Sequence, residues 1–149
     1  MLTQGEKDLK EKVLSVAQMQ HLQELGVDTS KASMRWYATY EHNPNLYELG
    51  MRYSAFNFPS VPALTLQDML EMMPSSIESD NILYHFELLK IGSSTYSIGY
   101  KGIFDEDNGD NNMIKYHILL WDKNLLTCAY EMLCWLAENG HLKGGENEI

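Results

Sequence analysis

Three segments in the middle of the chain alternate between apolar and polar residues. They span residues 82–91, 95–104 and 113–121, are rich in aromatic and branched side chains, and are separated by turn-forming residues. Successive side chains of a β-strand point to opposite faces, so apolar residues at every second position mark a buried face. The pattern predicts a three-stranded antiparallel meander whose even-numbered face is apolar.

The register of this meander follows from parity. An even index sum between paired residues keeps every even-numbered apolar row on one face, whereas an odd sum would divide the rows between core and solvent. We therefore predict a three-residue first turn at 92–94 and a second turn over about 105–113. The predicted pairs are Phe86–Tyr100, Leu88–Ile98, Tyr100–Ile118 and Phe104–Ile114.

Helical periodicity and capping residues mark three further elements. Ser15 and Gln18 form a capping box for a helix that ends at Gly26. A second helix is predicted over 61–74 with Thr65 as its cap, and a third follows Trp121 with Asp122 or Asn124 as its cap. Residues 34–41 alternate as a strand, and residues 46–58 fit either a returning strand or a loop.

Together these elements predict an α+β fold. An antiparallel meander of about three to five strands packs in two layers against about three helices, and strands from 34–58 extend the sheet. A single domain over residues 1–149 is expected, with residues 1–12 and 141–149 poorly ordered.

Charge and composition narrow the function classes. The net charge is −10, from 21 acidic and 11 basic residues, and direct nucleic-acid binding needs clustered cations that this sequence lacks. A secretory signal and a membrane-length apolar run are both missing from the sequence pattern, which favours a cytoplasmic protein. An acidic surface that mimics DNA is kept as a further alternative.

One candidate binding site lies on the odd-numbered face of the meander. The predicted register aligns His85, Lys101 and His117 in a row across the sheet. Two imidazoles beside an ammonium group form a chemistry that binds anions or small molecules. The competing interpretation is a solvated sheet face with unrelated polar residues.

Seven aromatic residues lie between Trp36 and Phe58 and form a second candidate. Four of them, Trp36, Tyr37, Tyr40 and Tyr47, define a candidate interaction surface, because Trp and Tyr bury apolar area while keeping a polar group hydrated. Packing of a small core under a long connection is the interpretation that such a cluster favours on its own.

Catalytic and metal-binding motifs are missing from the sequence. The acidic segment 105–110 departs from an EF-hand loop, because Asp110 and Tyr116 occupy the positions of the required glycine and bidentate glutamate. Cys128 and Cys134 lie six residues apart in one predicted helix and cannot form a disulfide there. No metal and no cofactor are therefore predicted.

Three segments carry a resemblance to other proteins: HLQELGVDTSKASM, TLQDML and YEMLCWLAENG. With them the chain resembles, over most of its length, a group of small uncharacterised proteins from gut bacteria of the Bacteroides kind and their phages or mobile elements. That group has no established activity, so the resemblance implies an accessory or phage-related role and assigns no residue a function.

The leading functional hypothesis is a non-enzymatic interaction protein. It would present an aromatic or Met-rich surface to a protein partner or to a second copy of itself. The alternative is a small-molecule or anion-binding protein, or an enzyme, that uses the polar face of the sheet.

Overall fold

The computed structural model describes residues 12–40, 43–51, 60–105 and 112–142. Contacts divide the chain into two compact units, which join in sequence between Met72 and Met73. The described residues form three helices and two antiparallel sheets, so the predicted α+β class is confirmed. The single domain over 1–149 stays a prediction.

The first unit combines a three-stranded antiparallel sheet of order β2-β1-β3 with two helices. Its elements are α1 (Val16–Glu24), β1 (Met34–Tyr40), β2 (Asn43–Met51), β3 (Ser60–Ala63) and α2 (Leu66–Met72). The prediction that strands from 34–58 extend the central sheet is wrong, because these strands pair with one another and with β3. Residues 46–58 were predicted to form either a returning strand or a loop. They form a strand up to Met51, and residues 52–59 lie outside the described part of the chain.

Helix α1 forms as its capping residues predict. Ser15 Oγ accepts a hydrogen bond from the Gln18 backbone N–H at 3.2 Å, and Gln18 Oε1 accepts one from the Ser15 N–H at 2.9 Å. Gly26 has a φ of +84°, which lets the Val27 N–H turn back to the Leu22 carbonyl at 3.0 Å. This arrangement buries Val27 against the helix that it terminates.

Helix α2 is shorter than predicted, because residues 61–63 belong to β3 rather than to the helix. Pro62 explains this start: a residue before proline avoids the helical region, so Val61 stays extended. The helix begins after Thr65, as its predicted cap requires. Thr65 Oγ1 accepts from the Asp68 N–H at 3.1 Å, while the Asp68 carboxylate accepts from the Thr65 N–H at 3.0 Å.

Trp36 belongs to the core of the first unit. Only 7% of its surface is exposed, it packs with Val13 and Ala63, and its Nε1–H donates to the Leu14 carbonyl at 2.8 Å. The burial of both the ring and its polar atom removes Trp36 from the candidate interaction surface. The core interpretation of the aromatic cluster therefore applies to this residue.

The second unit is a four-stranded antiparallel sheet of order β4-β5-β6-β7 followed by one helix. Its elements are β4 (Ser76–Ser79), β5 (Ile82–Ile91), β6 (Thr95–Asp105), β7 (Asn112–Asp122) and α3 (Leu125–Glu138). Strand β4 was not predicted. Asp80 and Asn81 connect it to β5 with φ values of +53° and +63°, as a tight two-residue hairpin requires.

The predicted register is confirmed for most of the meander. Ile91 pairs with Thr95 across a three-residue turn, and the structure contains the predicted pairs Phe86–Tyr100, Leu88–Ile98 and Tyr100–Ile118. The even-numbered face of this stretch is buried, with Tyr84, Ile98 and Tyr100 at most 1% exposed. The buried face of α3, formed by Cys128, Ala129, Met132, Leu133 and Leu136, supplies the complementary apolar layer.

Candidate functional site

A bulge in β7 changes which residues share a face of the second sheet. Tyr100 pairs with Ile118, but the next residue, Lys101, pairs with Tyr116, so His117 has no partner on β6. One extra residue reverses the direction of every side chain beyond it. The predicted row of His85, Lys101 and His117 is therefore wrong for His117, which lies on the opposite face.

Because of the same bulge, the predicted pair Phe104–Ile114 is wrong. Phe104 pairs with Met113, and Ile114 pairs with Ile103. Ile114 was predicted on the buried face, but 59% of its surface is exposed. Tyr116 likewise moves to the odd-numbered face, beside Lys101.

His117 joins an aromatic cluster on the helix-covered face. Its ring centroid lies 5.0 Å from that of Tyr84, 5.6 Å from Trp135 and 6.3 Å from His141. His141 also stacks on Trp135, at 5.3 Å with an interplanar angle of 21°. The cluster connects β5 and β7 with α3 and with the segment that follows this helix.

Gly102 makes room for this cluster on the intervening strand. A Cβ atom at Gly102 would lie 2.9 Å from the Tyr84 ring, which is closer than carbon atoms approach. The absent side chain lets Tyr84 lie across β6 and reach His117 on β7. Glycine at this position is thus part of the geometry that buries Tyr84.

The end of α3 places His141 in the cluster. Gly140 has a φ of +72°, and the His141 N–H donates to the Leu136 carbonyl at 2.8 Å, in the pattern of a Schellman motif. His141 and Leu142 therefore belong to the described structure, although the sequence assigned them to a poorly ordered tail. The remaining tail, residues 143–149, lies outside the described residues.

His141 is expected to make the C-terminal turn sensitive to pH. Burial, together with the charge of His117, lowers the pKa of His141 below the usual 6.5. A lowered pKa in the folded state means that the contribution of His141 to stability is complete above pH 6.5. That contribution is lost as the pH falls through the lowered pKa.

Histidine NMR titration combined with amide hydrogen exchange measures this effect. We expect a His141 pKa below 6.5 and faster exchange of the His141 amide, corrected for intrinsic rates, at acidic pH. The variant His141→Phe keeps a ring on Trp135 but removes the imidazole at position 141, so the pH dependence of its protection should be weaker than that of the wild type. A His141 pKa above 6.5 would contradict the geometry.

The centre of the odd-numbered face carries a compact polar group. Lys101 Nζ lies 3.4 Å from Glu87 Oε2, and the Tyr116 hydroxyl donates to Glu87 Oε1 at 2.7 Å. The hydrogen bond to Glu87, followed by burial and the carboxylate charge, raises the pKa of Tyr116. His85 pairs with Lys101 across the two strands, as predicted.

An open hollow of about 450 Å³ lies over this part of the sheet. Its lining includes His85, Glu87 and Lys101, together with the apolar residues Leu83 and Ile103. The charge of Lys101 is already balanced by Glu87, so the hollow has no uncompensated cation of the kind that anion recognition uses. The structure thus places two of the three predicted binding residues, His85 and Lys101, side by side, with Lys101 already paired to Glu87.

Large apolar side chains surround the polar group on the same face. Among the described residues, seven large hydrophobic side chains are exposed, and six of them lie on this face, with exposed fractions of 45–64%. We call it the open face; its exposed apolar residues are Leu83, Leu89, Ile91, Ile103, Ile114 and Trp121. The opposite face of the same sheet is covered by α3, whereas the open face keeps these apolar side chains exposed within the part of the chain that the structure describes.

The open face has two apolar patches separated by the polar group. Ile103 and Ile114 pair at one end, and Leu83 on β5 lines the same hollow as Ile103. Leu89 and Trp121 both pair with Ser97 near the other end, where β5 ends at Ile91. Patches of this kind mark interaction sites more often than scattered exposed residues do.

The other candidate surface residues remain partly described. Tyr37 is half-buried on β1, next to the buried Trp36. Tyr40 and Tyr47 lie on β1 and β2, but their side chains lie outside the described part of the chain, as does the acidic segment 106–110. An interaction role for Tyr37, Tyr40 and Tyr47 stays a prediction.

No family model, curated protein or solved structure matches the chain. In the part of the chain that the structure describes, no helix is both long enough and apolar enough to cross a membrane.

Proposed function

We propose that the protein is a non-enzymatic interaction protein that docks onto another protein surface through the open face. The observation that carries this proposal is the asymmetry of the second sheet. One face is covered by α3, and the other exposes six large apolar side chains around an ion pair. Burying such a layer against a partner removes apolar surface from water, which is the main driving force for association.

The polar group gives this surface a means of selecting its partner. Glu87, Lys101 and Tyr116 satisfy one another, so the centre of the face can be buried without leaving an unpaired charge. A partner that places a charge opposite this group would bind more tightly or more weakly, depending on the sign and the position of that charge. The apolar patches supply contact area, and the polar group fixes the orientation.

Anion or small-molecule binding at the hollow is supported less well by the same geometry. Lys101 is paired with Glu87, and His117 lies on the opposite face. This leaves His85 as the only one of the three residues that still supports anion binding at the hollow. A cytoplasmic location is part of our proposal. The free thiols of Cys128 and Cys134 support it, because free thiols are usual in reducing compartments.

Native mass spectrometry of protein purified gently from its source organism tests the docking proposal. We expect a bound protein, either a partner or a second copy, that is lost in the double variant Ile114→Ser, Trp121→Ser. The matched control is Met113→Ser, since Met113 is also 40% exposed but alternates with Ile114 to the other side of β7. A bare wild-type monomer, or a complex that the double variant retains, would contradict the proposal.

A further inference from the structure

We infer that the surface docked on the open face is the open face of a second copy of this chain. This inference rests on the docking function proposed above and names its partner. Three properties of the face point to a copy: its symmetry, its charge balance and its area.

The arrangement of patches is self-complementary. Apolar patches lie toward both ends of the strands, and the polar group lies between them. When two such faces stack, a two-fold axis through the centre and parallel to the sheets carries the polar group of one copy onto that of the other. Closed two-fold dimers use the same patch on both subunits, and this face satisfies that condition.

The charges of the polar group are also self-complementary. Glu87 and Lys101 lie 3.4 Å apart, so each copy presents one anion and one cation near the axis. Two-fold stacking can place Lys101 of one copy opposite Glu87 of the other, which adds crossed pairs to the internal ones. A strongly acidic or strongly basic partner would find no such complementary charge pair at the centre of this face.

The exposed area is close to what a dimer needs. The six apolar side chains expose on the order of 600 Å² when each large side chain is taken as roughly 200 Å². A stable interface buries about 800 Å² per partner, and the polar group contributes further area. The face of one copy therefore offers a matching surface of the right size.

Stacking of faces is favoured over pairing of strand edges. Strand β4, at one edge of the sheet, has only four residues, and β7, at the other, is interrupted by the bulge at His117. Short and bulged strands are poor templates for edge-to-edge pairing. The face is the larger and more regular surface.

Net charge predicts how this dimer responds to salt. Each chain carries a net charge of −10, while the centre of the open face holds a balanced pair, so repulsion between copies comes from the other charges, including Glu78 at the β4 edge of the same face. Salt screens that long-range repulsion and strengthens apolar contact. The dimer should therefore become tighter as ionic strength rises.

Sedimentation equilibrium of the full chain over a wide concentration range tests the inference. Wild-type protein should form a dimer that tightens with added salt, and Trp121→Ala should weaken it at least about tenfold, as expected for a buried aromatic anchor. Met113→Ser should leave the dimer unchanged. Circular dichroism of each variant confirms that loss of the dimer is not loss of the fold.

Charge reversal separates a specific dimer from simple apolar association. Lys101→Glu alone and Glu87→Lys alone should each weaken the dimer, because each places like charges around the axis. The combined reversal should restore most of the affinity, since the ion pairs within and between the copies are re-formed and only the Tyr116–Glu87 hydrogen bond is lost. A dimer that is indifferent to both single reversals would contradict the two-fold arrangement.

The outcomes distinguish this inference from the docking proposal. A wild-type chain that stays monomeric at all concentrations overturns the second-copy inference. If the protein from its source organism then carries a different protein that the open-face double variant loses, docking through this face still holds. A dimer that survives Trp121→Ala and the double variant places the interface elsewhere and overturns the inference.

Discussion

Replacing Trp36 with alanine is expected to lower the free energy of unfolding of the first unit by about 3–5 kcal/mol. The ring is 7% exposed and packs against Val13 and Ala63, with Val16 and Val61 beside them, so its removal leaves a cavity between α1 and the strands β1 and β3. The variant also leaves the Leu14 carbonyl without the Nε1–H donor at 2.8 Å. Loss of both packing and a buried hydrogen bond places this substitution among the most destabilising.

Urea denaturation, with amide hydrogen exchange to separate the two units, measures the effect. The matched control is Trp121→Ala, which removes the same side chain from a position that is 64% exposed. Measured at protein concentrations low enough for the chain to be monomeric, it should change the free energy of unfolding by no more than about 0.5 kcal/mol, as is usual for surface positions. Equal effects of the two substitutions would contradict the assignment of Trp36 to the core and Trp121 to the open face.

Replacing Asp68 with alanine is expected to cost the first unit about 3 kcal/mol. The carboxylate is 8% exposed and accepts hydrogen bonds from the Thr65 N–H and from both the N–H and the hydroxyl of Ser33, at 2.6–3.0 Å. It therefore caps α2 and fastens the segment before β1 to that helix. Alanine would leave these donors without their acceptor at a partly buried site.

The role of Asp68 has a definite pH dependence. Burial alone raises the pKa of Asp68, but the hydrogen bonds from Ser33 and Thr65 lower it by more, so the pKa lies below the usual 3.8. The contribution of the carboxylate to stability is therefore complete above pH 3.8 and is lost as the pH falls through the lowered pKa. Acidification should weaken the link between α2 and Ser33.

Urea denaturation of Asp68→Asn at several pH values tests this dependence. The amide is uncharged at every pH, so the stability difference between wild type and variant should narrow as the pH falls below 3.8. Glu71→Gln, at an exposed position of the same helix, is the control and should stay within about 0.5 kcal/mol of wild type. A difference that is constant with pH would show that the Asp68 charge contributes nothing.

Local signals predicted much of this fold because they act over a few residues. The capping box at Ser15, the cap at Asn124 and the left-handed glycine at Gly26 each occur where side-chain and backbone chemistry require them. The turn at 92–94 follows from parity between two neighbouring strands. In each case the residues that determine the geometry are adjacent in sequence.

The bulge at His117 could not be found in that way. Parity assumes an uninterrupted ladder, whereas the bulge is stabilised by contacts of His117 with Tyr84, Trp135 and His141. Trp135 and His141 are distant in sequence and become neighbours only when α3 packs on the sheet. The predicted row of His85, Lys101 and His117 was wrong because this one bulge moved the side chain of His117 to the opposite face of the sheet.

Three corrections had signals that sequence reasoning could have used. Pro62 required an extended Val61 and so argued for β3 before the helix, and Asp80-Asn81 matches a two-residue hairpin turn between β4 and β5. The Schellman pattern at Gly140 likewise explains why His141 is held against the end of α3. The sequence alone could not identify the open face, because this requires the register of Ile114 beyond the bulge and the face of the sheet that α3 covers.

Site-specific photo-crosslinking in living cells tests the central claim, that the open face is covered by another protein surface. A photoreactive phenylalanine derivative replaces Trp121 on the open face or, as a control, Glu131 on the exposed side of α3. We predict protein adducts at the Trp121 position that the substitution Ile114→Ser reduces, and none of comparable yield at the Glu131 position. Absence of adducts at Trp121, or equal yields at both positions, would contradict the account.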